Sequence, residues 1–254
     1  MKQREHKPFY YRNGNPMLAL CIHGYMGSPA YFAGWPERLE AQGYDCKGLL
    51  LPGHGGEPKR FSAATAEEWT AHVRNELAEA VAQYEGILML GHSMGGLLSL
   101  LMAAEEKKIK GVFALNPAVG FHLRPASLVK YAGLLFGRPE RDNEKRRAIR
   151  LQVGVQLTGL RDVGCYVRPM KQLYRLMEQL PSAEKKITCP VLLFQGKKDE
   201  SVPGRAISKL ANRLPEGETV VLPHSTHEYY PEPDRKTILD ALEKFAARVN
   251  PNQP

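Results

Sequence analysis

The 254-residue chain has a formal net charge of +8 and an ordinary globular composition, with 43% hydrophobic and 24% charged residues. It has no run of about 18 apolar residues and no CxxC pair, so we expect neither a transmembrane helix nor a zinc site, and we expect no cofactor. Basic residues are dispersed except at 138–150, where acids are interspersed and aromatic residues are absent, so we expect a solvated helix face and no nucleic-acid partner.

The N-terminal region is charged and no apolar segment of the signal-peptide type follows it. Four cysteines are scattered along the chain, and Cys21 and Cys46 fall within predicted strands, where reduced cysteines act as small core residues. These observations predict a cytoplasmic protein. The sequence leaves the oligomeric state open.

The first part of the chain predicts alternating strands and helices. Asn13-Gly14 predicts a β-hairpin leading into a buried strand that ends at CIHG. Ser28-Pro29 predicts the start of a helix that Gly43 ends. A strand over 44–51 precedes the glycine-rich PGHGG, and a capping box at Thr65 and Glu68 begins a helix that reaches about residue 84.

The same alternation continues after residue 86 and returns near the C-terminus. The predicted strands are 87–90, 111–116, 190–195 and 218–222, and the predicted helices are 94–105, 203–214 and 234–249. Several strands are apolar throughout, which is typical of a mostly parallel sheet covered by helices on both faces. We therefore predict an α/β fold with its core in residues 1–119 and 188–254, and a helical cap inserted at 120–187.

The motif GHSMG at 91–95 lies where a predicted buried strand changes directly into a helix. A sharp turn there brings the side chains two residues before and after its apex into collision, which favours Gly91 and Gly95. Ser93 at the apex is then exposed at a helix N-terminus, where the helix dipole favours developing negative charge. The pattern predicts a nucleophilic serine rather than an ordinary turn.

A serine nucleophile needs a base that a third group orients, and in this arrangement the chain order is serine, acid, histidine. Asp199 follows the strand that ends at Gly196, with Glu200 as the weaker candidate. His224 and His227 both follow the strand 218–222, and we favour His227 as the base.

Acyl transfer also needs donors for the developing oxyanion. The backbone N–H of Met94, directly after the nucleophile, is one, and the N–H of Tyr25 in the CIHGYMG loop is the second, with Gly24 allowing close approach. We expect His23 to support this loop through hydrogen bonds of its ring. His54 and His92 are interpreted as structural.

Motifs along nearly the whole chain together resemble the bacterial carboxylesterases and monoacylglycerol lipases of the α/β-hydrolase superfamily. They are KPFYYRNGN, CIHGYMGS, GYDCKGLLLPGHG, AEEWTAHV, GHSMGG, GKKDESVP and STHEYY. The resemblance implies a triad of Ser93, Asp199 and His227, oxyanion donors at Tyr25 and Met94, and a small helical cap.

The interpretation is a serine carboxylic-ester hydrolase that acts on short- to medium-chain acyl esters without a metal or cofactor. Monoacylglycerol lipase, thioesterase and carbon–carbon bond hydrolase remain alternatives within enzymes, and a ligand-binding receptor or scaffold is the alternative outside them. The segment LVKYAGLLF at 128–136 either packs the cap onto the sheet or also lines an acyl pocket above Ser93 with Leu134, Leu135 and Phe136.

Overall fold

The structure, a computed structural model, describes residues 6–121, 142–156 and 162–252. Its strands are β1 Phe9–Tyr11, β2 Met17–Ile22, β3 Tyr44–Leu49, β4 Gly86–His92, β5 Ile109–Leu115, β6 Val191–Gly196 and β7 Gly217–Leu222. Its α-helices are α1 Pro36–Glu40, α2 Pro58–Ala63, α3 Ala66–Gln83, α4 Met94–Ala103, α5 Glu144–Gln152, α6 Val163–Val167, α7 Met170–Ala183, α8 Gly204–Ala211 and α9 Glu232–Val249.

The seven strands form one sheet in the order β1-β3-β2-β4-β5-β6-β7, and every neighbouring pair is parallel except β1 with β3. Alternate residues of β2 enter different cores: Leu18 packs in the cluster that includes α3 and α4, whereas Met17 packs in the cluster that includes α9. Both faces of the sheet are therefore buried, as the continuous apolar strands require. The predicted α/β fold is confirmed.

The predicted N-terminal hairpin is wrong. β1 does not pair with β2 but lies antiparallel to β3, with Phe9 opposite Gly48. Both edges of β2 are already occupied, by β3 and by β4. The carboxylate of Asp45 in β3 accepts hydrogen bonds from the N–H groups of Asn13 and Asn15, which holds the connecting turn against β3.

The helix predicted from Ser28 to about residue 42 is also wrong in its extent. A 3₁₀ turn, Pro29–Phe32, is separated from the short α1 by Gly34, whose φ is +82°. Ser28 does not cap this turn, because its hydroxyl donates to the carbonyl oxygen of Gln152. In contrast, the predicted capping box of α3 is confirmed, with reciprocal hydrogen bonds between Thr65 and Glu68.

Within the predicted insertion at 120–187, the described residues include α5, α6, α7 and a 3₁₀ turn, Glu184–Lys186. The apolar residues Leu173, Leu176 and Leu180 of α7 are buried in the same core as α3 and α4. Across the described parts of the chain, we find no helix that combines the length and the apolar character needed to cross a membrane.

Candidate active site

The parallel strands bring the sequence-predicted residues to one edge of the sheet. Ser93 directly follows β4, Asp199 follows β6 and His227 follows β7. Loops after the carboxyl ends of neighbouring parallel strands lie side by side, which is where α/β sheets bind ligands. The adjacency of β4, β5, β6 and β7 therefore assembles the site from three distant segments.

Ser93 occupies the strained turn that its sequence predicts. Its φ is +51° and its ψ is −114°, a conformation that a non-glycine residue rarely adopts. A Cβ on Gly91 would lie 2.5 Å from the carbonyl oxygen of Gly95, and a Cβ on Gly95 would lie 1.9 Å from that of Ile22. Both glycines are thus required by packing, and the turn can form only with them in place.

Backbone hydrogen bonds hold the strained residue. The N–H of Ser93 donates to the carbonyl oxygen of Leu115 at the end of β5, and its own carbonyl oxygen accepts from Ala118 and Leu97. Because these partners come from β5, from the loop after it and from α4, the surrounding structure determines the conformation of Ser93.

Ser93, His227 and Asp199 form a continuous hydrogen-bonded chain. Nε2 of His227 lies 2.9 Å from Oγ of Ser93, and Nδ1 of His227 lies 2.8 Å from Oδ2 of Asp199. Each of the three residues is only 5% exposed. Because the carboxylate of Asp199 accepts a hydrogen bond from Nδ1–H of His227, Nε2 carries no proton and accepts a hydrogen bond from the hydroxyl of Ser93.

The environment of Asp199 favours its ionised form. Burial acts to raise its pKa, but the charge and hydrogen bond of His227 and the N–H groups of Val202 and Ser201 outweigh burial, so the pKa of Asp199 lies below its ordinary value. A carboxylate at this place orients the imidazole and stabilises it when it becomes protonated.

The two weaker candidates take other positions. Glu200 accepts a hydrogen bond from the backbone N–H of His227, 3.2 Å away, and so supports the loop that carries His227. His224 is exposed, and its backbone N–H donates to the carboxylate of Asp234, which also accepts from the hydroxyl of Ser225.

The loop after β2 lies directly against Ser93. A Cβ on Gly24 would lie 3.1 Å from Cβ of Ser93 and 2.8 Å from Nδ1 of His92, so only glycine allows this approach. Tyr25 is the next residue of that loop. Met94 is the first residue of α4, where backbone N–H groups have no acceptor within the helix.

The expected supporting role of His23 agrees with its contacts. Its Nδ1–H donates to the carbonyl oxygen of Gly24, and its Nε2 accepts from the N–H of Leu51. Burial, followed by the nearby His54, holds the pKa of His23 well below its ordinary value, so the ring is neutral. Burial also lowers the pKa of His54 to about 4, and its ring packs against His23.

Two residues that sequence reasoning did not assign to the site hold the loop that carries His227. Asn116, just after β5, is fully buried, and its side-chain N–H₂ lies 3.0 Å from the carbonyl oxygens of Thr226 and His227. His92 donates from Nε2 to the same carbonyl oxygen of His227, 2.9 Å away, while its ring stacks on Tyr31. Their positions at the ends of β4 and β5 were the signal available in the sequence.

The sequence also led to expectations about an acyl pocket and metal binding. The candidate pocket residues Leu134, Leu135 and Phe136 fall outside the described residues. Among residues 6–121, 142–156 and 162–252, no three His, Cys, Asp or Glu side chains are grouped so that they could hold a metal ion.

Several proteins are similar to nearly the whole chain. A thermostable monoacylglycerol lipase of Bacillus sp. (strain H-257) is 29% identical over 248 residues, which cover 94% of each chain. Among solved structures, this chain superposes with a TM-score of 0.75 on one from a report of LipS and LipT, two metagenome-derived lipolytic enzymes. The two chains are 23% identical, and the alignment covers 96% of this chain and 98% of the other. The monoacylglycerol lipase of Paleococcus ferrophilus superposes with a TM-score of 0.72 at 20% identity, covering 96% and 99%.

A protein family also matches most of the chain. Residues 17–234, which include every residue of the hydrogen-bonded chain described above, match the family described as serine aminopeptidase, S33. Together with the lipase and esterase relatives, this match confirms the predicted family and the predicted enzyme class of ester hydrolase. The chain belongs to the serine aminopeptidase S33 family of α/β-hydrolases.

Proposed function

We propose that this protein is a serine carboxylic-ester hydrolase in which Ser93, His227 and Asp199 are the catalytic residues. The observation that carries the proposal is the unbroken hydrogen-bonded chain from Oγ of Ser93 through His227 to Asp199, set on a strained turn. That combination supplies a nucleophile, a base and a group that orients the base.

In the proposed mechanism, Oγ of Ser93 attacks the ester carbonyl carbon while Nε2 of His227 takes the hydroxyl proton. The tetrahedral oxyanion accepts hydrogen bonds from the backbone N–H groups of Tyr25 and Met94. Collapse of the intermediate breaks the bond to the alcohol, which leaves with the proton from His227. Water then attacks the acyl-enzyme while His227 takes its proton. The second tetrahedral intermediate collapses with cleavage of the bond to Oγ of Ser93, and His227 returns the proton to Oγ as the carboxylic acid is released.

The substrates we propose are short- to medium-chain acyl esters. In this proposal residues 120–187 act as a cap, and Leu134, Leu135 and Phe136, which lie outside the described residues, line an acyl pocket above Ser93. The described part of this insertion supports a cap, because Tyr229, two residues after His227, has its hydroxyl 3.2 Å from a carboxylate oxygen of Glu144 at the start of α5. The insertion therefore reaches the loop that carries the base.

Monoacylglycerol is the second candidate substrate class. The observation that favours it is the 29% identity over nearly the full length of both chains with the monoacylglycerol lipase of Bacillus sp. (strain H-257). A monoacylglycerol is itself a carboxylic ester, so the same triad and oxyanion donors serve both substrates.

The test uses purified protein with p-nitrophenyl butyrate, a medium-chain monoacylglycerol and an amino-acid p-nitroanilide. We expect hydrolysis of the esters, labelling of Ser93 by a fluorophosphonate, and loss of both in Ser93→Ala, with a fall in kcat of several orders of magnitude. Ser99→Ala is the matched control, because Ser99 lies in the interior of α4 and its hydroxyl donates to the carbonyl oxygen of Gly95. Turnover of the anilide alone, or an active Ser93→Ala protein, would contradict the proposal.

A further inference from the structure

Residues 152–156, which we call the bridging segment, lie between two loops of the core. On one side, the N–H of Gly154 donates to the carbonyl oxygen of Met26, 2.8 Å away, in the loop after β2. On the other side, the carbonyl oxygen of Gly154 accepts from the N–H of Gly55, and the N–H of Gln156 donates to Gly56. A short piece of the insertion is thus paired by backbone hydrogen bonds with both loops.

The contact with the loop after β2 is very close. A Cβ on Gly154 would lie 2.2 Å from the carbonyl oxygen of Gly27 and 2.8 Å from Cβ of Ser28. Next to this contact, Met26 has a φ of +57°, a left-handed conformation that is strained for a residue other than glycine. The hydrogen bond from Gly154 to the Met26 carbonyl oxygen helps to hold that conformation.

A side-chain link reinforces the backbone contact. The hydroxyl of Tyr25 donates to the carbonyl oxygen of Tyr166 in α6, 2.5 Å away, and the hydroxyl of Tyr166 donates to the carbonyl oxygen of Gln156 in the bridging segment, 2.8 Å away. The ring of Tyr25 packs edge-on against Phe61. Residue 25 is therefore held by α6 and α2, and α6 is held by the bridging segment.

We propose that the bridging segment and Tyr166 position the backbone N–H of Tyr25 for the oxyanion, so that the insertion is part of the catalytic apparatus as well as a cover. This inference rests on the proposed function. Oxyanion donors act through geometry that is fixed before the reaction, and a loop lacks the ladder of hydrogen bonds that fixes a strand. The insertion supplies the missing hydrogen bonds, and Tyr166 is a positioning residue.

The first test is Tyr25→Phe, which removes the hydroxyl but keeps the backbone N–H and the ring that packs on Phe61. Removing one oxyanion donor costs about 100- to 1,000-fold in kcat, so loosening one donor is expected to lower kcat about tenfold. KM should stay unchanged. Tyr174→Phe is the matched control, since Tyr174 is an exposed tyrosine of α7 in the same insertion.

A readout specific to the oxyanion separates positioning from general structural damage. A trifluoromethyl ketone adds to the nucleophile as a tetrahedral oxyanion, so we expect its inhibition constant for Tyr25→Phe to rise by the same factor as kcat/KM falls. Rates are expressed per active site, titrated with a fluorophosphonate at Ser93. A variant that merely contained less folded protein would lose titrated sites and keep its inhibition constant.

The second test is Gly154→Ala, whose added methyl group pushes the bridging segment away from Gly27. We expect kcat and trifluoromethyl ketone binding to fall together, as in Tyr25→Phe. Gly164→Ala is the control, because a Cβ at Gly164 in α6 would meet nothing within 4 Å. Activity of Gly164→Ala should match the wild type.

The outcomes distinguish the two proposals. If Tyr25→Phe and Gly154→Ala keep the wild-type kcat per titrated site and the wild-type inhibition constant, the bridging segment does not position the donor, whereas the triad stands. A wild-type protein that takes up no fluorophosphonate at Ser93 and hydrolyses no ester overturns the proposed function, and this inference with it.

Discussion

Asn116→Ala tests whether the buried amide after β5 holds the base loop. The side-chain oxygen of Asn116 accepts from the N–H of Gly196 at 2.7 Å, and its N–H₂ lies 3.0 Å from the carbonyl oxygens of Thr226 and His227 and 2.8 Å from the hydroxyl of Tyr230. One side chain thus ties the ends of β5 and β6 to the loop that carries His227.

The magnitude follows from the groups that lose their partner. The His227 carbonyl oxygen keeps its hydrogen bond from His92, and the Tyr230 hydroxyl keeps its own hydrogen bond to that oxygen. The groups left without a partner are therefore the Gly196 N–H and the Thr226 carbonyl oxygen. Each orphaned buried group costs about 1–3 kcal/mol, which predicts a loss of about 2–6 kcal/mol in the free energy of unfolding. The φ of +44° at residue 116 adds about 1 kcal/mol, because asparagine tolerates this conformation better than alanine.

The assay combines urea unfolding with ester hydrolysis. Where the variant remains folded, we expect kcat to fall about 100-fold, because a displacement of about 1 Å at a reacting group has an effect of that size. Asn212→Ala is the control, since Asn212 is exposed at the end of α8. An Asn116→Ala protein within about 0.5 kcal/mol of the wild type, with unchanged kcat, would refute the reasoning.

Three further predictions use the same assays. His227→Ala should be nearly as inactive as Ser93→Ala. His224→Ala should keep most of its activity, because His224 is exposed and lies outside the hydrogen-bonded chain, and an inactive His224→Ala protein would reverse the choice of base. Because the pKa of Asp199 is lowered in the folded state, its ionisation stabilises the fold above about pH 4, and this contribution is lost as the pH falls through the folded-state pKa. The difference in free energy of unfolding between the wild type and Asp199→Asn, measured by urea titration, should therefore shrink on acidification. Burial of one methylene group contributes about 0.8 kcal/mol, so for p-nitrophenyl esters from acetate to laurate kcat/KM should rise about fourfold per added carbon until the pocket is full. A flat profile would exclude an apolar acyl pocket.

Much of the architecture was predictable because its signals are local. The glycines on either side of Ser93 predict the sharp turn, because the turn leaves no space for side chains at those two positions. The capping box at Thr65 and the apolar strands are local in the same sense, and they predicted the α/β fold correctly. The order of the strands also placed Asp199 and His227 at the correct edge.

Local sequence patterns therefore predicted the strands and longer helices of the core, together with the three residues that meet at the carboxyl edge. The distant groups that complete them could be identified only from the folded arrangement. β1 pairs with β3 because the edges of β2 are taken, and Asn116 reaches the His227 loop because β5 and β6 are neighbours in the sheet. The same holds for the close approach of Gly154 to Gly27. These two residues are 127 positions apart in the chain, so no local sequence pattern could predict their contact. Local sterics are encoded within a few residues, whereas these contacts exist only once the sheet has brought its loops together.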